Sequence, residues 1–238
     1  MKKNISVSWS GGKDSAFALY KVLQDANYRV VELHTVFNAE TRRVGMHGVH
    51  EELIDKQARA LGFPLMKLYL NASETHDEYT NLMTDYYRTC RENAIDSVMF
   101  GDIFLQDLKD FRDKLLADSG LAGVYPLWRM ESHALIFEFI DKGFKTLICS
   151  ANAHLLDRDV MGGTIDKRFI ESLPSAVDPC GENGEFHTFV YGGPMFREVI
   201  VVKKGDVISR DYTYKYLNEA GESVEEKTPF WFLDLKTF

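Results

Sequence analysis

Cysteine is scarce in this chain, and long basic runs are missing. Only three of the 238 residues are cysteine: Cys90, Cys149 and Cys180, with no C-x-x-C among them. So sparse and odd a set argues against a disulfide framework and a structural zinc site, and it suits a reducing compartment. Lys and Arg number 28 against 36 Asp and Glu, a formal charge of −8, so the surface as a whole repels phosphate backbones. Basic residues gather no further than pairs such as Arg42-Arg43 and Lys203-Lys204, whereas a protein that grips tRNA or duplex DNA usually shows a basic face. No apolar run reaches the length of a membrane span. The opening MKKNISVSWSGGK meets glycine and charge too early to supply a signal-peptide core. The expectation is a cytoplasmic protein with neither membrane nor nucleic acid as partner. Internal repeats and low-complexity linkers are absent too.

What is present is the composition of a soluble globular protein, 45% hydrophobic and 27% charged, with ample material for a core. Runs of period two alternate with helical patterns through the first half. Strands are expected at Ile5–Trp9, Arg29–Phe37, Pro64–Leu70, Ser97–Phe100 and Gly123–Tyr125. Helices are expected at Asp14–Asp25, His50–Leu61 (ending at Gly62), Glu74–Asn93 and Lys109–Asp118. This βα alternation predicts an α/β fold, a doubly wound parallel sheet whose ligands sit at the carboxyl ends of the strands. After Pro126-Leu-Trp128 the texture changes. A helix at Glu131–Lys142 and strands at Lys145–Cys149, Phe186–Tyr191, Glu198–Lys204 and along TPFWFLDL predict a smaller α+β domain. The expected division is 1–125 and 126–238, the two parts firmly packed, with acidic Glu219–Glu226 a solvated loop.

The chemistry concentrates in two stretches. The first is Ser10-Gly-Gly-Lys-Asp-Ser15, between the first strand and the first helix. Glycines let a ligand approach the main chain, and a helix start offers unpaired N–H groups and partial positive charge to an anion. Lys13 adds a full charge, and Ser10 and Ser15 add hydroxyls. This is a phosphate cradle, but not the G-x-x-x-x-G-K-[ST] loop, since Asp14 follows the lysine and no glycine stands five residues before Gly12; G-x-G-x-x-G is absent as well. A carboxylate beside phosphates needs a cation between them, so Asp14 reads as a Mg²⁺ ligand joining the pyrophosphate portion of ATP to the turn. SGGKDS resembles the PP-loop of the N-type ATP pyrophosphatases. That resemblance implies cleavage of ATP between its α and β phosphates, transfer of AMP to a substrate oxygen, and displacement of AMP by a nucleophile.

The second stretch is Asp178-Pro-Cys-Gly-Glu-Asn-Gly-Glu-Phe-His-Thr-Phe189. Charged groups crowding a glycine-rich turn are costly to bury without partners. Glu182, Glu185 and His187 are suited to position an amine, take a proton from it, or bind metal. Taken alone, the stretch reads equally as a hydrogen-bonded turn feeding a hairpin. Together with SGGKDS and Pro126-Leu-Trp128, it is similar to the diphthine–ammonia ligase family over residues 4 to roughly 210.

The resemblance implies an ATP-dependent amide ligase that joins ammonium to a carboxylate acceptor, as on the modified histidine diphthine of translation elongation factor 2, and yields AMP and pyrophosphate. ATP and Mg²⁺ are the implied cofactors. Ser10, Gly11, Gly12, Lys13 and Ser15 would hold phosphates, with Asp14 acting through Mg²⁺. Gly101 and Asp102 would close the nucleotide pocket, and His34 and Thr35 lie where adenine would meet the backbone. Lys13, Asp14, Glu182, Glu185 and His187 form the catalytic set. Where the family usually carries Met-Phe-His-Thr-Pro-Asn, this chain reads Gly45-Met-His-Gly-Val-His50, and where it carries Gly-Ala-Ile, this chain has Gly101-Asp-Ile103. The alternatives are a PP-loop protein with another small-molecule or tRNA substrate, and a nucleotide-binding module without chemistry. A homo-oligomer is compatible with the sequence. Cys180 is read as a small buried thiol rather than a nucleophile, Tyr79, Tyr86 and Tyr87 as core and flank, and Trp9 and Trp128 as core.

Overall fold

The computed structural model describes residues 2–71, 76–217 and 223–237. The expected start at Glu74 and the segment from Glu219 to residue 222 lie outside them. Alternation produces β1 (Lys3–Ser8), α1 (Lys13–Gln24), β2 (Tyr28–Asn38), α2 (Glu51–Leu61), β3 (Leu65–Leu70), α3 (His76–Glu92), β4 (Ser97–Met99), α4 (Gln106–Asp118) and β5 (Ala122–Val124). The five strands form one parallel sheet in the order β3-β2-β1-β4-β5. The chain therefore reverses its winding between β1 and β4, and the crevice at their carboxyl ends is the position where such sheets bind ligands. The α/β reading holds.

The helices follow from their apolar spacing. Ala16, Phe17, Leu19 and Val22 bury one stripe of α1. His50 caps α2 rather than belonging to it, and Gly62 ends it at φ 79° while its N–H reaches back to Ala58. Expected and observed ends otherwise differ by a few residues, the usual play at helix and strand termini.

Beyond residue 125 come α5 (Ser132–Asp141), β6 (Lys145–Asn152), α6 (Lys167–Ser172), β7 (Phe186–Gly192), β8 (Val202–Leu217) and β9 (Ser223–Thr237). A second sheet, antiparallel in order β7-β6-β9-β8, stands apart from the first. One buried cluster joins Phe17 of α1 and Leu53 of α2 to Phe139 of α5, Ile148 of β6 and Phe189 of β7. A second, on the other face of the parallel sheet, holds Tyr86, Tyr87 and Cys90 of α3 with Leu115 and Leu116 of α4.

Three expectations are corrected. Glu225 and Glu226 pair with Lys215 and Tyr214 in the β8–β9 ladder instead of looping: acidic residues do not prevent the backbone of a long hairpin from pairing. Glu198–Val201 is not strand, since β8 begins at Val202. Trp128 is half-buried beside Tyr125 rather than in the core, while Trp9 is fully buried. No described helix is long and apolar enough to cross a membrane.

Candidate active site

Ser10-Gly11-Gly12 leaves β1 and turns into α1 at the crevice. Its hydroxyls are ordered by elimination. The Ser15 hydroxyl donates to the Gly12 carbonyl (3.0 Å), so the Ser10 hydroxyl must donate to Ser15 (3.3 Å), and Ser10 Oγ accepts from the Gly12 N–H (3.3 Å). β4 closes on this turn tightly: a Cβ at Gly101 would lie 2.8 Å from the Asp14 carbonyl carbon, so only glycine lets the strand approach. The neighbouring Asp102 turns away and pairs with Arg112 of α4.

Lys13 is 3% exposed, and its Nζ donates to both carboxylate oxygens of Asp14 at 2.9 and 2.8 Å. Burial opposes the Lys13 charge, but Asp14 holds the ammonium above its ordinary pKa. Lys13 Nζ also stands 5.4 Å from the centre of the Phe186 ring, a cation–π distance.

The second stretch folds directly over the first. The Lys13 N–H donates to Thr188 Oγ1 (2.9 Å) and the Val190 N–H to the Gly11 carbonyl (2.9 Å), so β7 grips both sides of the turn. Glu182 accepts from the Ile103 N–H at 2.8 Å, linking the same stretch to the end of β4. Burial first, then the Asp14 charge, push Glu182 up to about 7. Glu185 is buried; Oε1 accepts from the Asp178 N–H (2.9 Å) and Asn183 Nδ2 (3.0 Å), while Oε2 is buried without a partner among the described residues. His187 Nε2 is likewise buried and unpartnered. Burial, then His47 and Lys13, hold His187 well below its ordinary value, so it is neutral. Cys180 is buried, its thiol facing the Ser132 carbonyl at 3.3 Å and driven up by burial. That suits a packed thiol, not a thiolate nucleophile.

Two residues outside the expected set complete the geometry. His47 Nδ1 lies 3.1 Å from the Thr188 carbonyl, which can only accept, so Nδ1 carries the proton and Nε2 remains an acceptor. Burial lowers His47 to about 4. Its ring stands 4.8 Å from that of His187, and a Cβ on Gly12 would meet its Cε1 at 2.5 Å. Gln57 is fully buried; it accepts from Trp9 Nε1 (2.9 Å) and donates to the carbonyls of Gly11 (2.9 Å) and Val190 (2.6 Å). A sequence signal for Gln57 existed: it is the one amide on the otherwise apolar stripe Leu53, Ile54, Ala58 and Leu61 of α2.

His34 and Thr35 are both buried. Thr35 Oγ1 donates to the Trp9 carbonyl (2.6 Å), and the His34 carbonyl accepts from the Trp9 N–H. The His34 ring turns to Ser6 and Tyr86 on the α3 face of the sheet, away from the turn that Gln57 and Thr188 hold. Burial lowers His34 to about 3.

Among the described residues no three His, Cys, Asp or Glu side chains converge to hold a metal ion. The donors at the turn are carboxylate oxygens, Asp14 with Glu182 close enough to feel its charge. That chemistry fits Mg²⁺, which takes one or two protein carboxylates and draws its other ligands from phosphates and water.

Two family models match. The diphthamide synthase N-terminal domain covers residues 2–123 and the diphthamide synthase C-terminal domain covers residues 131–222. Among curated relatives, a diphthine–ammonia ligase of Danio rerio is 26% identical over 227 residues, 84% of this chain and 86% of that protein. One of Homo sapiens is 27% identical over 223 residues, 84% and 82%. One of Schizosaccharomyces pombe is 22% identical over 218 residues, 84% of this chain but 36% of that longer protein.

Proposed function

The chain belongs to the diphthamide synthase family, and from that premise we propose that it is an ATP-dependent carbon–nitrogen ligase that amidates the carboxylate of diphthine on elongation factor 2, working in the cytoplasm. The observation that carries this reading is the clasp of the two motifs: Thr188 on the Lys13 N–H, and Glu182 on the Ile103 N–H. It brings a phosphate-type turn and a carboxyl group of raised pKa to one crevice.

Ser10, Gly11, Gly12, Lys13 and Ser15 bind the triphosphate through main-chain N–H groups, hydroxyls and the ammonium. Gly101 seats the turn, and Asp102 with the backbone of His34 and Thr35 borders the nucleoside end. Asp14 would hold Mg²⁺, which when bound neutralises charge on the departing pyrophosphate. An acceptor carboxylate oxygen attacks the α-phosphorus, the α–β anhydride bond breaks, and pyrophosphate leaves. Ammonia then attacks the acyl carbon; the carbon–nitrogen bond forms and the bond to AMP oxygen breaks.

Ammonium needs acceptors, and the buried, unpartnered Oε2 of Glu185 and the neutral His187 suit it. Glu182 takes the proton from the attacking nitrogen, a task matched to a pKa near neutrality. Positioning and charge neutralisation supply most of the acceleration.

Product analysis tests the reading. Incubation with ATP, ammonium and the diphthine-bearing factor should yield AMP and pyrophosphate in step with amide, and Asp14→Asn should abolish AMP formation in a chain that still folds, though it melts lower because the buried Lys13 ammonium loses its counter-ion. ADP as product, or full turnover by the Asn variant, would refute it.

A further inference from the structure

The second sheet carries a buried hydroxyl that nothing above employs. Ser150 of β6 stands directly opposite His187 of β7 on one side and Phe232 of β9 on the other. Ser150 is fully buried, and its Oγ has no hydrogen-bond partner among the described residues; nor has the buried Nε2 of His187. Directly opposed residues project to the same side of a sheet, with β-carbons about 4.5–5.5 Å apart, so the hydroxyl and the imidazole share one spot. A short stretch of loop roofs it. His47 sets its ring 4.8 Å from that of His187, and a Cβ on the next residue, Gly48, would lie 2.8 Å from the Phe232 ring. Arg43 pins the roof by donating to the Gly48 carbonyl (2.6 Å). On its other side His47 meets Gly12, so the roofed spot adjoins the phosphate turn.

The polar atoms here select a ligand by elimination. His47 donates its Nδ1 proton to the Thr188 carbonyl, which leaves Nε2 an acceptor. Ser150 Oγ accepts as well, and so does His187 Nε2 when its proton sits on Nδ1. Burying such atoms unpaired is costly, so the ligand that suits them brings N–H or O–H donors. A phosphate anion offers none. A cation brings donors, but the Lys13 charge bears on both imidazoles and repels a second positive charge beside them. A small neutral donor remains. Water has two hydrogens for three acceptors; ammonia has three, and keeps its lone pair.

We infer that Ser150, His187 and His47 form a subsite for neutral ammonia, the three side chains accepting its N–H groups and leaving the nitrogen lone pair free beside the turn. The inference rests on the amidation reading above and deepens it, giving the nitrogen substrate a place and a charge state. Ser150 and His47 hold the substrate; bond making and proton transfer remain as given above. Fixing ammonia next to the nucleotide makes its attack effectively unimolecular.

Steady-state amidation tests this in the full-length protein, with saturating ATP, purified elongation factor 2 bearing diphthine as acceptor, and ammonium chloride as nitrogen source. Between about pH 8 and 9 the wild-type KM should be constant when expressed as free ammonia and should fall when expressed as ammonium ion. Ser150→Ala should raise the free-ammonia KM about three- to tenfold, the weight of one hydrogen bond, with the Kd for ATP unchanged. Ser150→Cys keeps the volume but accepts hydrogen bonds poorly; it should show the same rise, and it guards against a folding defect in the alanine variant. A wild-type KM constant in ammonium ion, or a free-ammonia KM unmoved by both Ser150 variants, overturns the subsite while leaving amidation in place. A wild-type protein that converts ATP to AMP without forming amide at any ammonium concentration overturns the amidation reading, and the subsite with it.

Discussion

The backbone N–H of Lys13 donates to the hydroxyl of Thr188 across 175 residues of chain, at 2.9 Å. Lys13, whose ammonium is buried against Asp14, is thus fixed by the strand that carries the second motif. Thr188→Val keeps the shape but leaves a buried N–H without an acceptor, which costs about 1–3 kcal/mol. The variant should melt lower and bind ATP more weakly, and Thr188→Ser should retain both properties. Urea denaturation with nucleotide titration checks it; wild-type ATP affinity in the valine variant would show that the clasp does not shape the turn.

Gly12 and His47 form a steric pair. Gly12 has φ −90°, which any residue adopts, so its intolerance of a side chain comes from contact alone: His47 Cε1 at 2.5 Å and the Thr188 carbonyl at 3.2 Å. Gly12→Ala should weaken ATP binding and stability, and His47→Gly in the same chain should restore part of both. The coupling between the two changes is expected at about 0.5–3 kcal/mol. Gly11→Ala should not be rescued by the same change, because Gly11 sits at φ +82° and its Cβ would meet Gln57 and Ile54 instead. Strictly additive effects of the Gly12 and His47 changes would exclude the steric account.

The alternation of β1 through β5 was legible because period-two runs and apolar stripes at 3.6 spacing record which side of each element is buried. SGGKDS was legible because its meaning is local: a strand end, two glycines and a helix start. Thr188 was not, since a threonine in an alternating strand looks the same whether it faces solvent or caps a distant amide. His47 sits in a loop whose partner lies 141 residues away, a juxtaposition set by how β7 returns to α1. Trp128 was read as core from residue type, but its neighbours leave one side open. The run of acidic residues hid the length of the β8–β9 hairpin, because solvated charge is as compatible with an exposed strand as with a loop.

Gln57 ties two pieces of backbone and one indole together through a single buried amide. Its Oε1 accepts from Trp9, and its two N–H groups satisfy Gly11 and Val190. Gln57→Leu would remove a bond from all three partners, with the Gly11 carbonyl keeping only the Val190 N–H, so its cost should exceed that of a lone lost bond and reach about 3–5 kcal/mol. Gln57→Glu should be damaging too, since a carboxylate cannot donate to the two carbonyls. Thermal unfolding checks both, and a leucine variant as stable as the wild type would mean the amide is dispensable.

In the proposed reaction Glu182 would link catalysis to stability with opposite signs. Burial and Asp14 raise its carboxyl to about 7, from an ordinary value of 4.5. The fold therefore favours the protonated form, and as pH rises from about 4.5 through 7 the folded state loses stability relative to the unfolded chain. The proposed proton transfer would need the carboxylate, so the rate at constant free ammonia should climb through pH 7 and level above it. Glu182→Gln still accepts from the Ile103 N–H but takes no proton. It should be slower by about 10²–10⁴-fold with no inflection near pH 7, yet melt at or above the wild-type temperature at pH 8. Pre-steady-state rates at fixed free ammonia, set beside melting curves across the same pH range, read both limbs; an unchanged inflection in the glutamine variant would assign the proton to another group.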